Sequence, residues 1–268
     1  MLDSFDREIN YMRISVTDRC NLKCLYCIPE EEIIKKHHND ILRYEEIYSI
    51  VKEASKLGVS KVRITGGEPL VRKNIEELIK MIRRIEDINI ISMTTNGILL
   101  KPIACKLKEA GLDSINISLD TLDYERYKMI TRGGNLQDVI RGIEEAYKLN
   151  FKLKINVVIY DDISKKELPE LYKYAESINA KLQTIKFYNI NEQKEDNAEY
   201  DRPMKCKYCN RIRLLSDGYL LSCLHSDIKV KVDFNDIKGS IMKCINIKPK
   251  NGSHSNVKSL SMIGGKNA

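Results

Sequence analysis

Tyr11-Met-Arg-Ile-Ser-Val-Thr-Asp-Arg-Cys20-Asn-Leu-Lys-Cys24-Leu-Tyr-Cys27 is the stretch on which the reading of this sequence turns. It opens as a short apolar run, Tyr11–Val16, and breaks into a polar loop with three cysteines spaced C-x3-C-x2-C. A strand that hands its chemistry to the loop at its carboxyl end is the habit of parallel βα folds. The sequence beyond repeats the unit. Further apolar runs lie at Val62–Thr65, Ile90–Thr94, Ser114–Leu119, Leu153–Ile159 and Thr184–Tyr188. They suit buried parallel strands, which read as continuous rather than alternating runs. Between them, Tyr44–Leu57, Ile75–Ile85, Leu99–Ala110, Leu136–Leu149 and Lys165–Ile178 carry apolar residues at helical spacing, and Gly58 and Gly111 follow two of them as C-terminal stops.

Strands alternating with helices imply right-handed βα crossovers. Six such units are too few to close an eight-stranded barrel, so the expected fold is α/β, a partial six-unit (βα) barrel, with its chemistry at the carboxyl ends of the strands. The character changes after Tyr188. Asn189–Arg202 is polar and charged, Cys206 to Asp236 forms a compact cysteine-bearing unit, and residues 237–268 are weakly patterned. The expected division is a barrel over 1–190 and a second region over 191–268.

The bulk numbers exclude some classes. At 268 residues, with 43% hydrophobic and 31% charged, the chain is an ordinary globular one that can bury a sizeable core. No run approaches the roughly 18 apolar residues of a membrane span. Met1–Asn10 is acidic and polar, so no signal peptide is read, and a cytoplasmic location with no membrane partner is expected. The net charge of +7 is spread over scattered lysines, there is no Trp, and no basic run is interleaved with aromatics. A nucleic-acid partner is therefore not expected, whereas a phosphorylated small molecule suits a few placed arginines.

Of the eight cysteines, Cys20, Cys24 and Cys27 form one set and Cys206, Cys209 and Cys223 another. Clustered cysteines in a cytosolic chain point to metal rather than disulfides. Cys105 lies in an amphipathic pattern and is expected in the core, and Cys244 has no partner at ligand spacing. Three thiolates on one short loop can hold three irons of a 4Fe–4S cluster and leave the fourth iron open for a chelating molecule. Zinc is the competing reading, but it prefers four ligands, and the nearby His37 and His38 are expected to be exposed. Gly66-Gly67-Glu68-Pro69 follows the second strand, where two glycines let the backbone approach a ligand and a carboxylate or backbone carbonyl can take an amino group. In the second set, Asp217-Gly218 is a hairpin signal that folds Cys223 back toward the first pair. A zinc hairpin with His225 as fourth ligand stays open there.

The cysteine loop and the glycine motif one βα unit later resemble the radical SAM (S-adenosylmethionine) superfamily. Arg13-Ile-Ser-Val-Thr-Asp-Arg-Cys20, Arg63-Ile-Thr-Gly-Gly-Glu-Pro, Thr94-Thr-Asn-Gly, Ser118-Leu-Asp, Ile130-Thr-Arg-Gly-Gly-Asn-Leu and Cys209-Asn-Arg-Ile-Arg213 are similar to the MoaA family, the GTP 3′,8-cyclases of molybdenum cofactor biosynthesis. The likeness covers residues 7–188 and 206–224. It implies two 4Fe–4S clusters, each on three cysteines, the second in a small C-terminal cluster-binding extension. It also implies SAM on Tyr26, Gly67 and Ser118, and GTP on Arg13, Arg63, Thr94, Lys154, Arg211 and Arg213. In the family, a 5′-deoxyadenosyl radical takes hydrogen from the ribose 3′ carbon of GTP, and the product is (8S)-3′,8-cyclo-7,8-dihydroguanosine 5′-triphosphate. No general base is assigned to that abstraction. The expected partners are a reductase or flavodoxin-type electron donor and the next enzyme of the molybdopterin pathway, and a homodimer is allowed.

Three departures stand against that likeness. Gln183 and Tyr188 occupy positions where the family has an arginine and a methionine. Asn189–Lys205 replaces a longer connection. Gly264-Gly265 is followed by Lys266-Asn267-Ala268, whereas family members end on the two glycines. Competing functions are another radical SAM enzyme with an auxiliary cluster, such as a peptide maturase, and a zinc-binding adaptor without catalysis.

Overall fold

The computed structural model describes residues 1–27, 36–187, 199–201, 204–226 and 228–252. Its frame is one sheet of nine strands in the order β6-β5-β4-β3-β2-β1-β7-β8-β9. The first six, β1 Tyr11–Ser15, β2 Lys61–Thr65, β3 Ile90–Thr95, β4 Ser114–Ser118, β5 Lys152–Ile159 and β6 Lys181–Lys186, run parallel and lie in chain order. The helices that link them are α1 Tyr44–Lys56, α2 Ile75–Arg83, α3 Ala104–Glu109, α4 Tyr124–Thr131, α5 Leu136–Lys148 and α6 Asp162–Ser177. This is the partial βα barrel expected. Gly58 and Gly111 do follow α1 and α3, with φ of +100° and +94°.

The C-terminal extension adds to the opposite edge. Strand β7 Arg211–Leu214 lies parallel to β1, while β8 Tyr219–Leu221 and β9 Lys229–Lys231 follow antiparallel, and α7 Ile237–Asn246 packs against β8, β9 and α1. The Asp217-Gly218 turn connects β7 to β8, with Gly218 at φ +80° and Leu215 donating its N–H to the Tyr219 carbonyl at 2.8 Å. The second cysteine region thus continues the barrel's own sheet.

The strands are not continuous apolar runs. They alternate, and the physical reason is that the two faces of the sheet meet different surroundings. Met12, Ile14, Val62, Ile64, Ile91, Met93, Ile115, Ile117, Leu153, Ile155, Val157 and Ile212 belong to the core under the helices. Arg13, Ser15, Thr65, Ser92, Thr94, Asn116, Ser118, Asn156, Gln183, Arg211 and Arg213 point the other way and are also buried. A second polar face that is out of water is a lining, and part of it is satisfied within the protein: Ser15, Thr65 and Ser92 donate their hydroxyls to the carbonyls of Thr17, Ile14 and Val62.

Other differences are local. Strand β6 begins at Lys181, ahead of the expected Thr184, and α6 begins at Asp162, where Asp161 caps it by accepting from the Ser164 N–H at 2.7 Å. The expected helix Leu99–Ala110 is helical only over Ala104–Glu109. Within it Ala104 and Leu107 face inward and Cys105 is exposed beside Glu109, so Cys105 is not a core residue. Cys244 is the buried one, on the inner side of α7. Among the described residues no helix is long and apolar enough to cross a membrane.

Candidate functional site

The loop after β1 is anchored from three directions. Leu25 and Lys23 donate their N–H groups to the carbonyls of Ile130 and Thr131 at the end of α4, at 2.9 and 3.3 Å. The Gly66-Gly67-Glu68 turn reaches it from β2. Gly67 N–H donates to the Thr17 carbonyl and Glu68 N–H to the Arg19 carbonyl, both at 2.8 Å. A Cβ on Gly67 would stand 2.2 Å from the Arg19 carbonyl oxygen, and one on Gly66 would stand 2.8 Å from that of Thr17. Glycine is therefore required by the contact between two backbones. Asn96, just past β3, donates its side-chain amide to Asn21 Oδ1 at 2.8 Å.

On this loop Cys24 and Cys27 are buried and Cys20 is half-buried. They sit in a small apolar cluster of their own with Leu22, Leu215, Leu221 and Leu224, distinct from the main core. Cys20 Sγ is met by the Leu22 N–H at 3.4 Å and the Asn96 amide at 3.9 Å. Such donors stabilise thiolate sulfur. A thiolate set with an apolar bed and N–H donors fits a 4Fe–4S cluster. His37 and His38 are exposed as expected.

A small pocket opens beside the loop, lined by Thr65, Gly66, Gly67, Glu68, Thr94, Thr95, Asn96 and Ser118. It brings together the expected Gly67, Thr94 and Ser118. The Glu68 carboxylate accepts from the Leu70 N–H at 3.0 Å, Thr95 Oγ1 at 2.7 Å and the Asn96 N–H at 2.7 Å. That side chain thus ties the turn to the end of β3. Tyr26 is fixed by its hydroxyl on Asp120, whose other oxygen accepts the Val158 N–H at 2.8 Å. Burial, followed by the Asp120 charge, pushes the Tyr26 phenol well up, so it stays neutral. Its ring lies 6.1 Å from that of Tyr160.

Deeper in the lining, the strand registers assemble the cations. Arg63, Arg13 and Arg213 sit abreast on β2, β1 and β7. Arg211 is one pleat away on β7, opposite Tyr11, whose ring lies 5.8 Å from both the Arg211 and Arg63 guanidinium carbons. Arg13 is 2% exposed, and burial first, then Arg213, pushes its pKa well down, with Arg63 and Arg211 acting in the same direction. Neighbouring strands lie about 4.8 Å apart. Three arginines carried abreast on neighbouring strands concentrate positive charge on this stretch of the lining. One pleat toward the carboxyl end, Thr94, Asn116 and Lys154 sit abreast on β3, β4 and β5. Thr94 Oγ1, Asn116 Nδ2 and Asn156 Oδ1 are buried along these strands with no hydrogen-bond partner, as is Arg211 Nε on β7. Gln183, on β6 opposite Asn156, faces the same lining, while Tyr188 and residues 264–268 lie outside the described residues, as does most of the Asn189–Lys205 connection.

The second cysteine set borders this arginine row. Cys206 Sγ is met by the Gly252 N–H and Cys223 Sγ by the His225 N–H, each at 3.4 Å. Burial opposes ionisation of Cys209, but Lys248, Arg211 and Arg213 outweigh it and hold the thiol below its usual range. Burial dominates at Cys223 and pushes its thiol up. His225 is buried against Gly252. Three cysteines with N–H donors and flanking cations have the donor chemistry of a cluster site.

Comparison with known proteins now decides the family. Residues 14–175 match the family described as the radical SAM superfamily. The chain is 42% identical to a GTP 3′,8-cyclase of Clostridium botulinum, with 87% of this chain and 86% of the relative covered. The chain belongs to the radical SAM superfamily and, within it, to the GTP 3′,8-cyclase family. A further member from Petrotoga mobilis is 36% identical with 99% and 100% covered, and its alignment runs over 323 positions against the 268 residues here, so that relative carries segments this chain lacks. Among solved structures, native anSMEcpe with bound AdoMet superposes with a TM-score of 0.65 at 20% identity, covering 90% of this chain and 81% of that one. Streptococcus suis SuiB bound to S-adenosylmethionine gives 0.69 at 15% identity, and this chain spans 90% of its own length but only 64% of SuiB's. At those identities the likeness speaks for the fold.

The family membership makes the chain an enzyme that uses SAM and a 4Fe–4S cluster. The C-x3-C-x2-C loop is the part of the fold that suits the cluster. Several residues that hold this region gave no signal in the sequence. Arg7 donates to the carbonyls of Cys206, Pro249 and Lys250 at 3.0, 2.7 and 3.0 Å. Arg72 donates to those of Val16 and Leu42 at 2.6 Å each. Asp120, Asn96 and Lys248 complete the group. Asp120 and Asn96 lie inside the quoted Ser118-Leu-Asp and Thr94-Thr-Asn-Gly motifs, the two places in this group where a signal was available.

Proposed function

We propose that this chain is a GTP 3′,8-cyclase that converts GTP to (8S)-3′,8-cyclo-7,8-dihydroguanosine 5′-triphosphate, with a second 4Fe–4S cluster on Cys206, Cys209 and Cys223. The observation that carries this reading is the row Arg63–Arg13–Arg213, with Arg211 beside it, inside a lining that ends at the SAM-side pocket. A triphosphate is the ligand that such a row fits best. The curated relatives named GTP 3′,8-cyclase support the same substrate.

When bound, the first cluster and SAM supply, with one electron, a 5′-deoxyadenosyl radical. The residues of this chain position its target. Arg13, Arg63, Arg211 and Arg213 hold the triphosphate. Thr94 and Lys154, one pleat nearer the SAM side, bracket the ribose and its neighbouring phosphate. Tyr26 and Ser118 support SAM, and the backbone at Gly67 receives its amino group. Cys206, Cys209 and Cys223 would hold the auxiliary cluster, whose open iron would supply a further contact to the nucleotide. The buried lining keeps water from the reacting carbon, and held geometry accounts for much of the rate in a step of this kind. The electron comes from a reductase or flavodoxin-type donor, and the product passes to the next enzyme of the molybdopterin pathway. A peptide substrate, as in SuiB or anSMEcpe, is less suited to a wall of closely spaced arginines.

Arg211→Ala and Arg213→Ala test the assignment. Each removes a charge-assisted contact worth about 1.5–3 kcal/mol, so GTP affinity should fall roughly tenfold to a hundredfold. SAM cleavage, followed as 5′-deoxyadenosine, should persist. Unchanged GTP affinity in both variants would refute the arginine assignment.

A further inference from the structure

The segment after α7 returns across the second cysteine set and is pinned to it at several points. Arg7, buried with Asp3 at 2.7 Å, clamps the carbonyls of Pro249 and Lys250 together with that of Cys206. Gly252 presents its N–H to Cys206 Sγ, and a Cβ there would stand 3.0 Å from His225 Cβ. Between these points Lys248 is 3% exposed, a burial that lysine rarely shows without a compensating partner. Its ammonium donates to the Arg211 carbonyl at 2.8 Å and to that of Ser222, the residue before Cys223. The one amine therefore bridges both arms of the Cys209–Cys223 hairpin. It also acts electrostatically on Cys209 and Cys223.

Two neutral carbonyls could be joined by an amide side chain at lower desolvation cost. A full positive charge kept dry at that point suits a site that carries negative charge. Three thiolates and a 4Fe–4S core supply it, and the core gains one further negative charge on reduction. A fixed cation favours the reduced form and raises the potential.

We propose that Lys248 is a positioning and potential-setting residue of the auxiliary cluster, stabilising its reduced state through a buried charge anchored on the carbonyls of Arg211 and Ser222. This rests on the cluster reading of Cys206, Cys209 and Cys223, and the test separates the two.

The full-length chain carrying C20A, C24A and C27A isolates the second site. Reconstituted anaerobically, it should hold about four irons and four sulfides, as one 4Fe–4S cluster requires. Zinc in place of iron, or no metal, would overturn the cluster reading and this inference with it. With iron present, the midpoint potential is read by electron paramagnetic resonance during redox titration. K248M and K248Q should shift it negative, by about the amount that changes the oxidised-to-reduced ratio tenfold at fixed potential. K248R should restore the wild-type value. An unchanged potential in K248M and K248Q, or an equal shift in all three variants, would overturn the role of the charge. If K248M does not load iron, K248Q carries the comparison. Loss of iron in all three, Arg included, with the fold intact by circular dichroism, would likewise overturn it.

Discussion

Replacing Gly67 by alanine perturbs the site at its tightest backbone contact. The added Cβ would lie 2.2 Å from the Arg19 carbonyl oxygen, 2.5 Å from its carbon and 3.0 Å from the Asp18 carbonyl carbon. All three are backbone atoms, so no side chain can swing aside. Relief of the clash requires the two segments to part by roughly 1 Å, judged against carbon–oxygen contact distances. That movement strains the Gly67–Thr17 and Glu68–Arg19 hydrogen bonds, both 2.8 Å, on the chain leading into Cys20. Two weakened bonds at about 1 kcal/mol each, with overpacking of about 1–3 kcal/mol, give a loss of roughly 3–5 kcal/mol in unfolding free energy. A displacement of about 1 Å at a reacting geometry costs on the order of a hundredfold in rate. Urea denaturation of the apoprotein reads the first effect and 5′-deoxyadenosine formation after reconstitution the second. Gly66→Ala serves as an internal comparison, because its Cβ meets the Thr17 carbonyl at 2.8 Å and should cost less. A Gly67→Ala protein as stable and as active in SAM cleavage as the wild type would refute the claim that this glycine is set by close approach.

Glu68→Gln replaces a buried carboxylate that accepts from three donors with a group that accepts on one atom only. It should lower stability by about 1–3 kcal/mol, and an unchanged urea midpoint would contradict the tie drawn between the turn and β3. Asp161 bears on pH dependence. Burial would raise its pKa, but the hydrogen bonds from Ser164 and the Arg126 guanidinium outweigh that and hold it below the usual carboxylate range. A depressed folded-state pKa contributes stability above the unfolded value of about 4 and loses it as pH falls through the folded value. The wild type should therefore melt above Asp161→Asn at neutral pH, with the gap closing below about pH 4, and a gap independent of pH would exclude the ionic contribution.

Much of this protein was legible before any coordinates. Tyr11–Val16 and its successors announce strands because short apolar runs bounded by polar loops leave little else to form. Cys20, Cys24 and Cys27 announce iron–sulfur chemistry because three thiols in eight positions of one loop converge whatever the fold does. Asp217-Gly218 encodes its own hairpin, since the turn needs a positive φ that glycine gives freely. Cys105 was misjudged because helical spacing fixes which residues share a face but not which face is buried, and α3 turns Ala104 and Leu107 inward instead.

The sequence by itself determined the local part: the βα repeat, the two cysteine sets and the turn at Gly66-Gly67. The tertiary structure decided what depends on residues far apart in the chain. Strand β7 pairs with β1 across about two hundred residues, and only that pairing sets Arg213 beside Arg13 and Arg63. The same pairing places the second cysteine set on the barrel's edge, where Arg7 and Lys248, from opposite ends of the described chain, fasten it. The alternation of apolar and polar residues along each strand carries no label for which polar side chains face water and which line a cavity. The assembled sheet supplies that label, by removing Arg13, Asn116 and Asn156 from solvent while leaving them no apolar role.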